Sequence, residues 1–169
     1  RRACGVMSGM FADGPDLVAK AELASRVLQS GNLAAWPPLR ARGIHRGSGS
    51  PGKVAFLYTG QGSQYANMLV ELRRREPVVA DLFEEADAIM APLLEGRRLS
   101  DIVFADPADP DAMALAEEEL RRTEIQQPAV ITVDTALTRL LGEYGIAPDL
   151  VMGHSVGEYA ALVSAGALP

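Results

Sequence analysis

Apolar residues along this chain recur at two periods, and the exchange of one period for the other outlines the architecture. Ala3 to Met7 reads as a strand, and Leu17 to Leu28 has the three- and four-residue spacing of an amphipathic helix. Asp13-Gly14-Pro15-Asp16 starts that helix with a capping side chain and an early proline, and Ser30-Gly31 ends it. Trp36-Pro37-Pro38 reads as irregular, because paired prolines cannot continue a helix. Gly43 to Arg46 reads as a returning strand, and Gly47 to Gly52 as a flexible connector. Val54 to Tyr58 is then a short buried strand that runs into the turn Thr59-Gly60-Gln61-Gly62-Ser63-Gln64. Tyr65 to Arg75 and Pro77 to Leu94 predict two amphipathic helices, with Arg73, Arg74, Arg75, Glu84 and Glu85 left for solvent. Asp101 to Asp111 reads as a loop with Ile102-Val103-Phe104 tucked inward, and Met113 to Arg122 as a short helix. Gln127-Pro128 opens a longer helix that turns Val130, Val133, Leu137 and Leu141 towards a core, closed by Gly142 and Gly145. An apolar run, Leu150 to Met152, precedes a last helix over Glu158 to Leu162. Strands followed by helices imply an α/β layer structure with a largely parallel sheet.

Composition adds the broad class. Of 169 residues, 48% are hydrophobic and 22% charged, enough apolar material to bury a core and too little charge for a disordered chain. No apolar run approaches the roughly 18 residues of a membrane span, and the amino terminus lacks a secretory pattern. A cytoplasmic, membrane-independent protein is expected. The single cysteine, Cys4, excludes an internal disulfide and reads as a small packed hydrophobe. Residues 1–52 carry seven basic and three acidic side chains, net +4, whereas residues 53–169 carry nine and nineteen, net −10. The change of sign places a domain boundary within Gly47 to Gly52, dividing the chain into 1–51 and 52–169. The acidic second part argues against nucleic acid, whose binding needs clustered lysine and arginine.

Candidate chemistry is concentrated near the carboxyl end. Gly153-His154-Ser155-Val156-Gly157 is a G-x-S-x-G pentad between an apolar run and a helix, the layout of a nucleophile elbow. A serine on such a strained turn has its hydroxyl pushed outward, and glycines at the flanks let the backbone crowd around it. Ser155 is therefore the candidate nucleophile. The backbone N–H of Val156 is the oxyanion donor that elbow geometry supplies. Gly47-Ser48-Gly49-Ser50-Pro51-Gly52-Lys53 matches the first seven positions of a phosphate-binding loop but fails as one. Position 54 is valine where a hydroxyl should hold the metal, and the glycines precede the strand instead of following it.

Three motifs in order, Gly60-Gln61-Gly62-Ser63-Gln64, Gln127-Pro128-Ala129 and Gly153-His154-Ser155-Val156-Gly157-Glu158, carry a family resemblance over about residues 52 to 169. The chain resembles the malonyl-CoA:acyl-carrier-protein transacylases, which include the acyltransferase domains of polyketide and fatty acid synthases. The upstream segment looks like the end of the linker between a ketosynthase and its acyltransferase. The resemblance implies a hydrolase-like parallel sheet with flanking helices and a nucleophile elbow, incomplete here, preceded by a small α/β linker subdomain. Thr59 departs from the pattern, since many relatives have proline before the glycine. The resemblance also implies an acyl-CoA substrate, an acyl carrier protein as acceptor through its phosphopantetheine thiol, an adjacent ketosynthase and no bound cofactor or metal. It places Gln61 at the oxyanion site and Gln127 in support of the active site, although Gln127 is equally readable as an ordinary helix-start amide. Arg40, Arg42 and Arg46 are either a solvated face or a surface for an acidic carrier protein.

A serine needs a base, and neither histidine suits. His154 adjoins Ser155 on a turn whose side chains diverge, so it packs or hydrogen-bonds behind the elbow, on the substrate side of the site. His45 belongs to the upstream segment. In relatives a ferredoxin-like subdomain, a carboxylate-binding arginine and the catalytic histidine follow the elbow, so the sequence is expected to continue in a missing carboxyl-terminal half. A serine esterase or thioesterase, and an inert scaffold fragment of a synthase, remain as alternatives. Val156 is aliphatic, as in malonyl-selective relatives, where methylmalonyl-selective ones typically have glutamine.

Overall fold

The computed structural model describes residues 5–10, 12–48 and 52–168; Cys4, Gly49, Ser50 and Pro51 lie outside them. The chain divides into two compact units, Arg1–Gly52 and Lys53–Pro169. In the first, β1 (Gly5–Gly9) and β2 (Ile44–Ser48) pair antiparallel, with Gly9 opposite Ile44. Helix α1 (Gly14–Ser30) is capped by the Asp13 carboxylate, which accepts from the Asp16 amide at 2.9 Å, and ends at Gly31 in the left-handed conformation. Ala24, Trp36, Leu39 and Ile44 form a small core, and the Arg46 guanidinium lies 5.4 Å from the Trp36 ring centroid.

Two expectations are corrected in this unit. Trp36–Arg40 is helical (α2), not irregular. Pro37 and Pro38 sit in its first turn, where amide hydrogens have no acceptor within the helix, so their absence leaves no bond broken. Strand β2 also runs on through Gly47 and Ser48, residues assigned by sequence to the connector.

The second unit contains a parallel pair, β3 (Ala55–Tyr58) and β4 (Leu150–Gly153), with Ala55 opposite Leu150 and Tyr58 opposite Gly153. Register is fixed at the entry to both strands. The Asp149 carboxylate accepts from the Val54 amide at 2.8 Å, and the Asp149 amide donates to the Val54 carbonyl at 2.8 Å. Alternation sends Phe56, Tyr58 and Val151 to the face covered by helix α8 (Gly157–Ser164), where Tyr58, Ala160 and Ala161 are buried. On the opposite face Leu57 is 71% exposed and Leu150 and Met152 about as bare, so this strand is buried on one side only, not on both.

Between the strands run α3 (Val70–Arg75), α4 (Pro77–Met90), α5 (Leu99–Val103), α6 (Pro110–Glu119) and α7 (Thr123–Glu143). Their apolar faces close on Val79, Phe83, Leu99, Val103, Leu120 and Ile125, which are almost inaccessible to solvent. Phe83 meets Phe104 edge-on at 4.9 Å, under the Arg73 guanidinium. No helix among the described residues is long and apolar enough to cross a membrane.

Three of the helix boundaries that differ from the sequence reading have an identifiable polar reason. The helix expected from Tyr65 starts at Val70, because Asn67 and Leu69 adopt left-handed φ angles of 64° and 63°. Asn67 is drawn out of helical geometry by donating its amide to the Val103 carbonyl at 2.8 Å and accepting from the Ala105 amide at 3.0 Å. The expected loop over Asp101 to Asp111 is preceded and partly replaced by α5, whose first turn is anchored by buried Asp87. That carboxylate accepts from the Ser100 amide at 2.7 Å and the Ser100 hydroxyl at 2.5 Å. Finally, α7 begins at Thr123 and takes Pro128 inside, at the expense of one bond to the exposed Glu124 carbonyl near the helix start. Its buried face carries Ala129, Val130, Ala136 and Leu140, while Leu137 and Leu141 line a groove against β3.

Asp87→Ala strands the two Ser100 donors inside the fold. It is expected to lower unfolding free energy by about 2 to 3 kcal/mol, against about 1 kcal/mol for Ser100→Ala, read from denaturant melts.

Candidate active site

Strand β4 ends at Gly153, and the chain enters α8 through only three residues, His154, Ser155 and Val156. The His154 amide still donates to the Tyr58 carbonyl at 3.2 Å, as a sheet residue would. The Gly157 and Glu158 amides already turn back to the carbonyls of His154 and Ser155, both at 3.0 Å. Ser155 must absorb the change of direction, and it does so at φ 54°, a left-handed conformation that costs a side-chain-bearing residue about 1 to 3 kcal/mol. Ser155 is exposed and Val156 buried, so the serine stands out of the fold at the head of the helix. The Val156 amide makes no backbone hydrogen bond among the described residues.

Glycines make the crowding possible. A Cβ on Gly157 would fall 2.4 Å from the Thr59 carbonyl oxygen and 2.7 Å from that of Tyr58. One on Gly153 would fall 2.4 Å from the Gly157 and Glu158 backbone, and one on Gly60 2.7 Å from His154 Nδ1. The elbow and the turn after β3 therefore interlock backbone to backbone. His154 is spent in this contact, its exposed imidazole laid against Gly60.

The turn carries Gln61 on its exposed side, and Gln61 Nε2 donates to Gln126 Oε1 at 2.8 Å. Gln126 is buried on the face of α7 that looks at β3. Gln127 is not brought to this cluster: one residue further round the helix, it lines a separate groove with Met90, Leu94 and Ile131. Sequence reasoning missed Gln126 because it began the helix at Gln127. With α7 starting at Thr123, Gln126, Asp134 and Thr138 fall in one row at multiples of four residues, with the apolar Val130 between them. Thr138 Oγ1 lies 2.9 Å from the Tyr58 hydroxyl. Asp134 is 8% exposed, and its Oδ2 has no hydrogen-bond partner among the described residues. Burial pushes its carboxyl up to about 6, against the opposing pull of the Thr59 amide and hydroxyl. His45 lies exposed on β2, in the other unit.

A strained, outward serine between a parallel strand and a helix, interlocked with a glycine turn bearing a side-chain amide, defines an α/β protein of the nucleophile-elbow class. Comparison makes the assignment specific: the family model described as Acyl transferase domain matches residues 55–169, and the chain belongs to that family. It is 42% identical over 116 residues to the malonyl CoA-acyl carrier protein transacylase of Bacillus subtilis, covering 69% of this chain and 32% of that protein. Among solved structures, the acyltransferase domain from the second module of the salinomycin polyketide synthase superposes with a TM-score of 0.69. The identity is 34%, over 96% of this chain and 33% of that one. A malonyl-transacylase solved in complex with its type II polyketide acyl carrier protein gives 0.55 at 40% identity, over 68% and 33%. The chain thus spans about a third of the length of these relatives.

The interlock predicts a contrast between two glycines. Gly157→Ala should cost about 3 kcal/mol or more, since backbone on both sides must move. Gly142→Ala, with nothing within 4 Å of its added carbon, should stabilise α7 by a few tenths to about 1 kcal/mol. Paired thermal melts check both. A pH dependence follows from Asp134. Its folded form binds the proton more tightly than the unfolded chain, whose value is near 3.8, so its contribution to stability is full below pH 3.8 and lost as pH rises through about 6. Asp134→Asn should flatten that part of the stability profile.

Proposed function

We propose that this chain is the nucleophile-bearing part of an acyltransferase that moves an acyl group, malonyl, from CoA to the phosphopantetheine thiol of an acyl carrier protein. The interlock of the Thr59–Gly62 turn with the elbow carries the reading, because it packs the turn that bears Gln61 against the backbone of the elbow that bears the outward serine. Ser155 Oγ attacks the thioester carbonyl and gives its proton to a base. The tetrahedral intermediate collapses with cleavage of the C–S bond, and CoA leaves as the thiol by taking that proton. The pantetheine thiol then attacks the ester, the C–O bond breaks, and Ser155 recovers its proton. No electrons change hands, so the balance closes without a bound cofactor.

Negative charge gathers on the carbonyl oxygen in both steps, and two donors answer it. One is the unengaged Val156 amide. The other is Gln61, whose NH₂ group carries two hydrogens: Gln126 Oε1 takes one and thereby aims the second. The general base is assigned to the two-thirds of the relatives' length that this chain does not span, since His154 is packed on Gly60 and His45 belongs to the first unit. The bare sheet face of Leu57, Leu150 and Met152 is the surface assigned to that remainder. An acyl carrier protein as acceptor is supported by the relative solved with one, and a polyketide synthase setting by the salinomycin domain. Val156 supports malonyl over methylmalonyl, a choice in which one methyl group is worth about 1 to 3 kcal/mol.

The test uses the full-length protein that contains this chain, incubated with equal malonyl-CoA and methylmalonyl-CoA and followed by intact-protein mass. The malonyl adduct should predominate at early times. Ser155→Ala should remove both adducts with the fold intact, and Gln61→Ala should slow loading by about 10² to 10³. Acyl mass still gained by Ser155→Ala would overturn the nucleophile, and release to water instead of carrier thiol would make the protein an esterase.

A further inference from the structure

The turn that carries Gln61 is fixed at its two ends by different means. On the amino side Gly60 has no free space, since a Cβ there would fall 2.7 Å from His154 Nδ1 and 2.8 Å from the His154 carbonyl oxygen. The Ser63 hydroxyl lies 2.9 Å from both the Gly60 carbonyl oxygen and Thr59 Oγ1. The first half of the turn is thus held by packing and by a polar cluster. On the carboxyl side the situation is reversed. Nothing lies within 4 Å of where a Cβ on Gly62 would stand, and its φ of 102° is in a region that a residue with a side chain rarely enters. Packing leaves this peptide loose, and glycine gives it the widest choice of orientations.

A single side chain restrains it. The Gly62 amide donates to Gln64 Oε1 at 2.9 Å and has no other acceptor among the described residues. The sense of this bond is fixed, because a backbone N–H can only donate and so must face the oxygen of the Gln64 amide. Gln64 is half-buried, whereas Gln61 and Gly62 are exposed. Two residues further on, the Ala66 amide donates to Glu117 Oε1 of α6 at 2.8 Å, and Ala66 and Met68 are buried in the helical core. Gln64 therefore ties the unpacked end of the turn to a segment that is itself anchored.

Gln61 lies between the pinned glycine and the tethered one. The bond to Gln126 holds only the far end of its side chain, and the direction from which that side chain arrives is set by the peptides on either side of its Cα. We propose that Gln64 is a positioning residue of this acyltransferase: by accepting the Gly62 amide it fixes the backbone beneath Gln61, so that the Gln61 amide meets the substrate oxygen in one orientation. The inference rests on the acyl-transfer reading of Ser155 and Gln61. Because Gln64 acts through Gln61, its effect on rate depends on Gln61 being present, which is not so for a residue that binds CoA or merely supports the fold.

The experiment uses the full-length protein that contains this chain, as wild type, Gln64→Met, Gln64→Ala, Gln61→Ala and the Gln61→Ala/Gln64→Met double variant. Single-turnover acyl loading of Ser155 is followed at increasing malonyl-CoA, beside amide hydrogen exchange over the peptide that holds residues 60–64. Both Gln64 variants are expected to speed exchange in that peptide and to lower the saturating loading rate about 10-fold, part of the 10² to 10³ expected for Gln61→Ala. The malonyl-CoA concentration at half-saturation should stay at the wild-type value. In the Gln61→Ala background, Gln64→Met should change the rate by less than about 2-fold. Unchanged exchange or a wild-type loading rate in the Gln64 variants overturns the proposal. So does the full 10-fold loss persisting without Gln61, or an effect confined to the half-saturation concentration. Should Gln64→Met fail to fold, Gln64→Ala, singly and with Gln61→Ala, decides by the same criteria. Absence of loading in the wild-type protein refutes the acyl-transfer reading itself, and the positioning role with it.

Discussion

The contact on which the rest of this site depends is the approach of Gly157 to the Thr59 carbonyl. Two turns from distant parts of the sequence, one after β3 and one after β4, can share a single patch of backbone only if no side chain stands between them. Parallel pairing of β3 with β4 brings both strand ends to the same edge, and Gly153, Gly157 and Gly60 then remove the three Cβ atoms that would hold the turns apart. Everything chemically suggestive is a consequence. Ser155 is pushed into the left-handed region because the strand hydrogen bond at His154 and the first helical bond at Gly157 leave it nowhere else to turn. Gln61 faces outward because its neighbour Gly60 is pinned beneath His154.

Helix α7 supplies the second layer of control. Its apolar positions face α4 and the main core, but Gln126 and Thr138, on the row through Asp134, meet the glycine turn and the sheet. The same rigid helix thus reaches the Gln61 side chain and the strand hydroxyl of Tyr58. Spacing along a helix is fixed by geometry, so these two contacts move together. A helix that opened at Gln127 could not make the first of them.

How much of this was legible in the sequence depended on whether the signal was local. The cap at Asp13, the Ser30-Gly31 stop and the pentad around Ser155 are local, and the structure shows an elbow there with φ 54° at the serine. Family membership followed from three ordered motifs and was matched over residues 55–169. What failed was decided by partners far along the chain. Asn67 breaks the helix expected from Tyr65 because Val103 and Ala105 claim it, and α5 forms where a loop was expected because Asp87, thirteen residues earlier, holds Ser100. Trp36-Pro37-Pro38 misled for another reason: proline is prohibitive only once a helix is under way, and these prolines lie in its first turn. Gln126, rather than Gln127, meets Gln61 because α7 starts at Thr123 and not at Gln127, which the sequence alone does not show.

The distribution of strain shows why the site sits where it does. A left-handed serine, glycines without room for a methyl group and a buried carboxylate with an orphan oxygen all lie within the two turns and the row of α7 behind them. Each is unfavourable by itself, and none is needed to form a sheet or a helix. They are tolerated because the helical layer built on Val79, Phe83, Leu99, Leu120 and Ile125 is packed independently of them. That core fixes α7, α7 holds Gln61 through Gln126, and the interlocked glycines join the turn to the elbow of Ser155. In the acyl-transfer reading proposed above, a geometry held in this way would be pre-organised, since the donors need not be gathered when charge develops on the substrate oxygen. Relaxing either link, at Gly157 or at Gln126, would let the two turns drift towards lower energy and away from their interlock.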